Sequence, residues 1–253
     1  MTDTLSLDDV SVLLVWTAIA VYALAFVAYA IDLARRSALA VEAKDARARD
    51  RELVAAGGES ITDVPARERR AGAEIASAPG ARPRLLWARI GTSLTVLAFL
   101  FHLGATVLRG IAAERVPWSN MYEFAMTGLL LVVAVYLGVL FRYDLRFLGT
   151  FITGLVVGLL GGATLSFYVE VVPLMDPLKS VWLVIHVFVA SLGTALFALA
   201  FGLSVAQLLQ ARRERKVAEA ADGAVVRTGP GFLRTLPSAD ALESLAYRFA
   251  IIG

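Results

Sequence analysis

The chain has 253 residues, of which 58% are hydrophobic and 18% are charged, and its formal net charge is +2. A mean hydropathy of +0.70 is too high for an ordinary soluble domain, so the composition predicts a polytopic membrane protein. The sequence contains no cysteine, which excludes disulfides, thiolate catalysis, iron–sulfur clusters and covalent haem attachment through a C-x-x-C-H motif.

Five stretches are long and apolar enough to cross the hydrocarbon core, which takes about 20 residues of helix. They cover residues 10–33, 86–108, 121–141, 145–167 and 181–209. A sixth apolar helix begins near Leu242 and reaches Gly253 before it has crossed a membrane, so we expect the chain to be a fragment. The predicted fold class is an all-α polytopic transmembrane helix bundle, with five full spans plus the start of a sixth.

The distribution of basic residues predicts the orientation of these spans. Arginines and lysines are concentrated in 35–89, 142–146 and 212–216, whereas the alternate loops carry few, so the N-terminus lies outside. Acidic residues precede the first span, which is therefore an anchor and not a cleaved signal peptide. The basic runs are solvated flanks of the spans and indicate no nucleic-acid partner. We expect a multi-pass protein of the bacterial plasma membrane, in contact with its lipids.

The same pattern divides the chain into five segments. Residues 1–36 form the N-terminal anchor, 37–85 a cytoplasmic polar linker whose first part, 38–56, continues as a charged helix, and 86–211 a four-helix membrane core. Residues 212–240 form a cytoplasmic loop, expected to be unfolded up to 237. Residues 241–253 begin a further transmembrane helix.

Two histidines, His102 and His186, lie inside spans. At about 1.5 Å per residue, both lie roughly 10 Å below the outer surface. Ionisable residues are costly inside a membrane, and imidazole binds transition metals well, so the pair predicts ligation of a metal. The alternative is that each imidazole forms a hydrogen bond with a neighbouring helix.

A polar and aromatic island, Pro-Trp-Ser-Asn-Met-Tyr-Glu-Phe, separates the second and third spans at the outer surface. Trp118 and Tyr122 suit an interfacial aromatic belt. Ser119 or Asn120 is placed to cap the third helix, and Glu123 lies near its positive N-terminus. The same residues also form an aromatic shelf beside a polar clamp, which suits a large planar ligand.

This island, preceded by His102 and Arg109, resembles the CcsA/ResC-type proteins of cytochrome c biogenesis system II, which are named CcsB in actinobacteria. A second segment, Pro-Leu-Lys-Ser-Val-Trp-Leu-Val-Ile-His-Val, contains Trp182 and His186 and is similar to that family's Leu-x-Ser-x-Trp-Leu-x-x-His-Val element. The resemblance covers residues from about 89 to the end. Two separate elements in the same order make it specific.

The resemblance implies a haem-handling role in cytochrome c complex assembly. Such a protein binds haem b and presents it at the outer face, and with a ResB-type partner it forms a haem-attachment (synthase) complex that serves apocytochrome c. Thiol-reducing proteins contribute indirectly. By position His186 matches the first of two axial histidines that flank a tryptophan-rich signature. That signature and the second histidine are expected to follow the helix near Leu242, beyond Gly253.

We therefore predict that His186 and His102 ligate haem iron. We assign no catalytic residue. Arg109 and Arg115 either pair with haem propionates or anchor the interface. The predicted cofactor-binding residues are His186, His102, Trp118, Asn120, Tyr122, Glu123, Trp182 and Arg109.

Two other functions fit the residues. The first is a b-type cytochrome or quinone-site subunit with His102 and His186 as a paired haem ligand set. The second is a small-molecule transporter in which the glycine-rich stretch 154–162 breaks the fourth helix, although those glycines also suit close helix packing.

Overall fold

A computed structural model describes residues 6–56, 86–171, 180–219 and 231–253. Within these ranges the chain is helical and contains no β-strand, which confirms the predicted all-α fold. The helices are α1 (Leu7–Ala56), α2 (Leu86–Ala112), α3 (Met121–Leu140), α4 (Gly149–Phe167), α5 (Val181–Glu219) and α6 (Ala239–Ile252). Short 3-10 turns at Arg146–Leu148 and Gly231–Thr235 precede α4 and α6.

Helices α1 to α5 contain the five predicted spans, which are confirmed by length and hydropathy among the described residues. The protein is therefore a multi-pass membrane protein. The outward faces of these helices carry many exposed apolar side chains, as expected for surfaces in contact with lipid tails. Examples are Leu13, Leu24, Leu100, Leu165 and Leu208.

Two helices continue well past the hydrocarbon core. Helix α1 extends to Ala56, which confirms the charged helix predicted for 38–56. Helix α5 extends to Glu219, so the prediction of an unfolded linker from Arg212 is wrong for 212–219. The reason is local: Gln210 bonds Glu214, and Arg215 pairs with Glu219, one helical turn apart in each case.

The expected linkers are only partly described. The 3-10 turn Gly231–Thr235 also departs from the unfolded prediction, because Leu233 within it is buried and the turn packs against α1. Residues 57–85 of the first linker, 220–230 of the second and 172–179 of the loop before α5 lie outside the described residues.

The helices pack as two apolar cores that share α3 and α4. One core joins α1, α2, α3 and α4 around Tyr22, Met126 and Leu160. The other joins α3, α4, α5 and α6 around Ile152 and Leu203. Helix α2 packs mainly against α1 and α3, whereas α5 packs mainly against α3 and α6.

Small residues allow the closest helix approaches. A Cβ atom at Gly149 would lie 2.6 Å from Tyr29 Cζ, and one at Gly91 would lie 2.9 Å from Tyr29 Cδ1, so these crossings need glycine. Helix α4 is continuous, so the alternative of a broken helix, on which the transporter hypothesis depended, is not formed. Close packing accounts for Gly149 and for Gly154, which faces Phe26, whereas a Cβ atom at position 158, 161 or 162 would meet no other described part of the chain within 4 Å.

The helix ends meet in the alternation that the basic residues predict. At one end Arg109 bonds both Asp8 and the carbonyl of Val169. At the other end the Arg35 guanidinium lies 5.2 Å from the Trp87 ring centroid. Following the predicted topology, we name these the outer end and the inner end.

Candidate functional site

The outer end holds a group of four charged side chains, the buried Arg109 and Glu123 and the partly buried Asp8 and Arg115, which we name the outer ion cluster. Arg109 is fully buried, and each of its three nitrogens donates to a different partner. Nε donates to Glu123 Oε1 at 3.1 Å, Nη1 to Asp8 Oδ1 at 2.5 Å, and Nη2 to the carbonyl of Val169 at 2.6 Å. One guanidinium therefore joins α1, α2, α3 and the segment after α4.

Glu123 is the anionic centre of this cluster and is also fully buried. Its Oε2 accepts from Arg115 Nη1 at 2.6 Å, from Ser119 Oγ at 2.9 Å and from the Ser119 backbone N–H at 3.1 Å. Arg115 Nη2 reaches Oε1 at 3.3 Å. A buried carboxylate needs such a set of donors, because an unpaired one is strongly disfavoured.

The start of α3 aims Glu123 at these donors. Asn120 is the N-cap residue, and its Oδ1 accepts from the Glu123 backbone N–H at 2.8 Å, which confirms the capping predicted for this position. Thr127 one turn further on donates to the carbonyl of Pro117 at 2.6 Å. The loop and the first two turns of α3 are therefore fastened together, and the half-buried Trp118 lies between these bonds.

Two tyrosine rings enclose Arg109 from the side. Its Cζ lies 5.5 Å from the Tyr122 ring centroid and 5.8 Å from that of Tyr168, and the two rings meet edge to face at 5.4 Å. The Tyr168 hydroxyl donates to Asp8 Oδ2 at 2.9 Å. Burial, together with this hydrogen bond, raises the pKa of Tyr168 above its ordinary value.

The charges of the outer ion cluster balance, with two carboxylates and two guanidiniums. Its contacts are charge-assisted hydrogen bonds, which are the strong kind, and they hold the outer ends of four chain segments in fixed register. In this arrangement Arg109 and Arg115 are both engaged with carboxylates of the chain itself. Their pairing with haem propionates stays a prediction.

His102 lies inside the bundle, below the outer ion cluster. Its side chain is fully buried, and its ring meets that of Tyr22 edge to face at 6.0 Å. Neither ring nitrogen makes a well-formed hydrogen bond to a described residue, and its polar neighbour is the backbone of Met126. The Tyr22 hydroxyl and the Tyr122 hydroxyl are likewise buried and lack partners among the described residues.

His186 has the opposite environment. It is exposed on the outer part of α5, and Trp182, one turn earlier, is 80% exposed. Below them, Gly193 meets the backbone of Gly253 at the end of α6, where a Cβ atom on Gly193 would lie 2.9 Å from the Gly253 carbonyl oxygen. The part of α5 above Gly193 therefore offers an aromatic and imidazole surface outside the packed bundle.

The structure does not bring the two histidines into one pocket. His102 is enclosed by α1, α2 and α3, whereas His186 faces outward from α5, and these helices have different main neighbours. The paired arrangement that a b-type cytochrome needs is thus not formed by the described residues. Within the same ranges, the acidic and histidine side chains form no group of three that suits a metal ion.

The sequence singled out Arg109 and Glu123 as cofactor-binding candidates, but it did not reveal their ion pair, their neighbour Asp8 or the covering ring of Tyr168. It also missed Tyr22, the ring against His102. Asp8 and Arg109 are 101 residues apart, and Tyr168 bonds Asp8 across 160 residues. An acidic residue in the first turn of α1 was the available signal, because it lies at the same membrane depth as Arg109.

Comparison with known proteins identifies the chain from its second half. The family described as Cytochrome C assembly protein matches residues 118–253, which is more than half of the chain and begins at Trp118. Neither the comparison with curated proteins nor that with solved structures gave a match. The matched region includes Glu123, Trp182 and His186. This chain belongs to the cytochrome c assembly protein family and is a multi-pass membrane protein of cytochrome c maturation.

Proposed function

We propose that this protein binds haem b at its outer end and presents it for covalent attachment to apocytochrome c, with His186 as an axial ligand of the haem iron. The observation that carries the proposal is the exposed pair of His186 and Trp182 on α5, within the region that matches a cytochrome c assembly family. The charged side chains of the outer ion cluster are buried or partly buried and engaged with each other. The α5 pair is free of such contacts among the described residues.

Trp182 and His186 are residue types that suit haem binding. Trp182 and His186 are four residues apart, so their side chains lie on one face of α5, about 5–6 Å apart at Cβ. Bound haem supplies an iron that accepts an imidazole nitrogen and the macrocycle that is transferred to the apocytochrome. His186 would hold the group through its iron, and the exposed indole of Trp182 would pack against it.

The outer ion cluster has a supporting role in this proposal. Asn120 and Glu123 fix the start of α3, and Trp118 and Tyr122 give that end of the bundle an aromatic border. A ResB-type partner and the apocytochrome approach from the same outer side.

His102 is the second candidate ligand. Both of its ring nitrogens lack well-formed hydrogen bonds, which leaves them able to ligate. Ligation there requires the packed interface of α1, α2 and α3 to separate, because the imidazole is fully buried. The exposed position of His186 requires no such opening, and we therefore place it first.

The test is haem ligation by the complete protein, co-expressed with its ResB-type partner. We expect His186→Ala to lower the haem absorption of the purified complex and cytochrome c maturation by tenfold or more, a loss equal to about 1.4 kcal/mol or more. Added imidazole should restore the haem spectrum. Ile185→Ala, at an exposed neighbouring position, is the matched control and should change neither measurement.

Two results would contradict the assignment. Unchanged haem content and maturation in the His186→Ala protein would remove His186 from the site. A complete complex that purifies without any haem would overturn haem presentation as a whole.

A further inference from the structure

A second site lies at the opposite end of the molecule. An apolar cavity of about 430 Å³ opens between α1, α4 and α5 in the inner half of the bundle, within the size range of small-molecule pockets. Phe26 and Leu33 line it from α1, and Leu209 lines it from α5. Seven residues separate Phe26 from Leu33, so the cavity follows the helices for about 10 Å.

Phe232 and Leu236 close the cavity at its inner end. The 3-10 turn Gly231–Thr235, which packs against α1, is thus part of the wall. Among the described residues that line the cavity, one side chain is polar, that of Thr150 in the first turn of α4. Its hydroxyl is buried and has no hydrogen-bond partner among the described residues.

Three arginines adjoin lining residues of the cavity along the chain. Arg213 lies one turn beyond Leu209, and its Nη1 donates to the Leu233 carbonyl at 3.2 Å, next to Phe232. Arg146 directly precedes Phe147, which lines the cavity. Both are only partly compensated: Arg146 pairs with the exposed Asp144 at 3.5 Å, and Arg213 Nε is buried without a hydrogen-bond partner among the described residues.

The third arginine is Arg36 on α1, one turn beyond Leu33. Its Nε pairs with Asp32 at 2.6 Å, while its Nη2 is buried and makes no hydrogen bond to a described residue. Among the described residues, these three guanidiniums have paired carboxylates at Asp32 and Asp144, and Arg213 Nε and Arg36 Nη2 have no hydrogen-bond acceptor. Buried donors of this kind are normally satisfied, which points to an anionic group beside these arginines.

We propose that this cavity binds one anionic phospholipid of the surrounding membrane. One acyl chain occupies the apolar cavity, the phosphate lies between Arg213, Arg146 and Arg36, and Thr150 donates to an ester oxygen. An apolar tail joined to an anionic head at the membrane surface matches both parts of the site. Basic pockets between transmembrane helices on the cytoplasmic side are known to favour such lipids.

The bound lipid has a structural consequence. It fills the gap between α1, α4 and α5 and fastens the turn Gly231–Thr235, and thereby the start of α6, to the inner end of α1. The proposal does not rest on haem binding, and its test needs no haem measurement.

The test uses native mass spectrometry of the purified protein in neutral detergent. The protein is incubated with phosphatidylglycerol or with phosphatidylcholine of the same acyl chains. We expect one retained phosphatidylglycerol per protein and at least tenfold weaker retention of phosphatidylcholine. Arg213→Gln and Arg146→Gln should each weaken phosphatidylglycerol retention about fivefold, because each interfacial arginine contributes one favourable charge contact.

Matched variants separate the cavity from the rest of the surface. Ala206→Phe fills the cavity and should abolish retention of the single lipid, whereas Leu208→Phe, on the lipid-facing side of α5, should not. Arg215→Gln is the charge control, because Arg215 is exposed and pairs with Glu219.

Three outcomes would overturn the proposal. They are equal retention of the two lipids, unchanged retention in the Arg213→Gln protein, and a folded Ala206→Phe protein that still holds the lipid. Circular dichroism and gel filtration establish folding of each variant. The arginine variants alter partly exposed side chains and keep the test decisive if Ala206→Phe does not fold.

Discussion

The outer ends of α1 to α4 differ from the outer part of α5 in the burial of their polar side chains. In the first region Arg109, Glu123 and His102 are fully buried, and the charged ones are joined by short hydrogen bonds. In the second region Trp182 and His186 are exposed. The difference indicates that polar groups of the first region assemble the bundle, while those on α5 remain available to another molecule.

The largest effect should come from removing the anionic centre of the closed region. We expect Glu123→Ala to lower the free energy of unfolding by about 3–5 kcal/mol, because it removes the buried carboxylate that pairs with both Arg109 and Arg115. SDS titration followed by circular dichroism measures the change.

The control for this prediction is an exposed carboxylate. Asp144→Ala removes a 3.5 Å ion pair with Arg146 at the surface and should change the free energy of unfolding by less than about 1 kcal/mol. Equal losses in the two variants would show that the outer ion cluster does not hold the bundle together.

The second prediction concerns His102, whose replacement should raise the free energy of unfolding. His102→Leu replaces a buried imidazole, whose nitrogens make no well-formed hydrogen bond to described residues, by an apolar side chain of similar volume. We expect the free energy of unfolding to rise by about 1 kcal/mol, because an unsatisfied buried polar group is removed. Thermal unfolding in detergent measures the gain.

This variant also sharpens the comparison between the two histidines. If His102 only packs against Tyr22, the complete complex should retain its haem in the His102→Leu protein. A stabilised protein that loses haem would instead show that the closed region opens and that His102 takes part in ligation. A destabilised protein would show that the imidazole is satisfied within the bundle.

Local signals were sufficient to predict the spans and the cap. The apolar runs have the length of a membrane crossing, and Asn120 stands directly before the apolar periodicity of α3. Both features therefore depend only on residues that are close together in the sequence. The same holds for the charged continuation of α1. The helical continuation of α5 past Arg212 was missed because a run of charges was interpreted as a linker, although its residues are good helix formers.

Long-range partners were not predictable in this way. Asp8, Arg109 and Val169 come from three distant segments, and only the packing of α1 beside α2 and α4 brings them together. Depth in the membrane did suggest that His102 and His186 meet. The structure separates them because equal depth does not fix which face of a helix is buried, and α2 and α5 present theirs to different neighbours.

The smallest effect should come from the edge of the outer ion cluster, where Tyr168 donates to Asp8 and is 40% exposed. Tyr168→Phe removes one hydrogen bond that water partly replaces, so we expect a loss of about 0.5 kcal/mol at neutral pH. The difference between the wild-type and Tyr168→Phe proteins should also depend on pH. Unfolding followed by circular dichroism at a series of alkaline pH values measures it.

The sign of this dependence follows from the raised pKa of Tyr168, which burial and the bond to Asp8 cause. Because the folded state holds the phenolic proton more tightly, the stabilisation is complete below pH about 10, the pKa of an unfolded tyrosine, and is lost as pH rises through the higher folded value. The Phe variant has no such group, so the wild-type advantage should shrink only in that alkaline range. If the stability difference between the two proteins stayed constant over that range, the Tyr168 hydroxyl would be solvated and would not belong to the outer ion cluster. The closed region would then end at Asp8 and Tyr122.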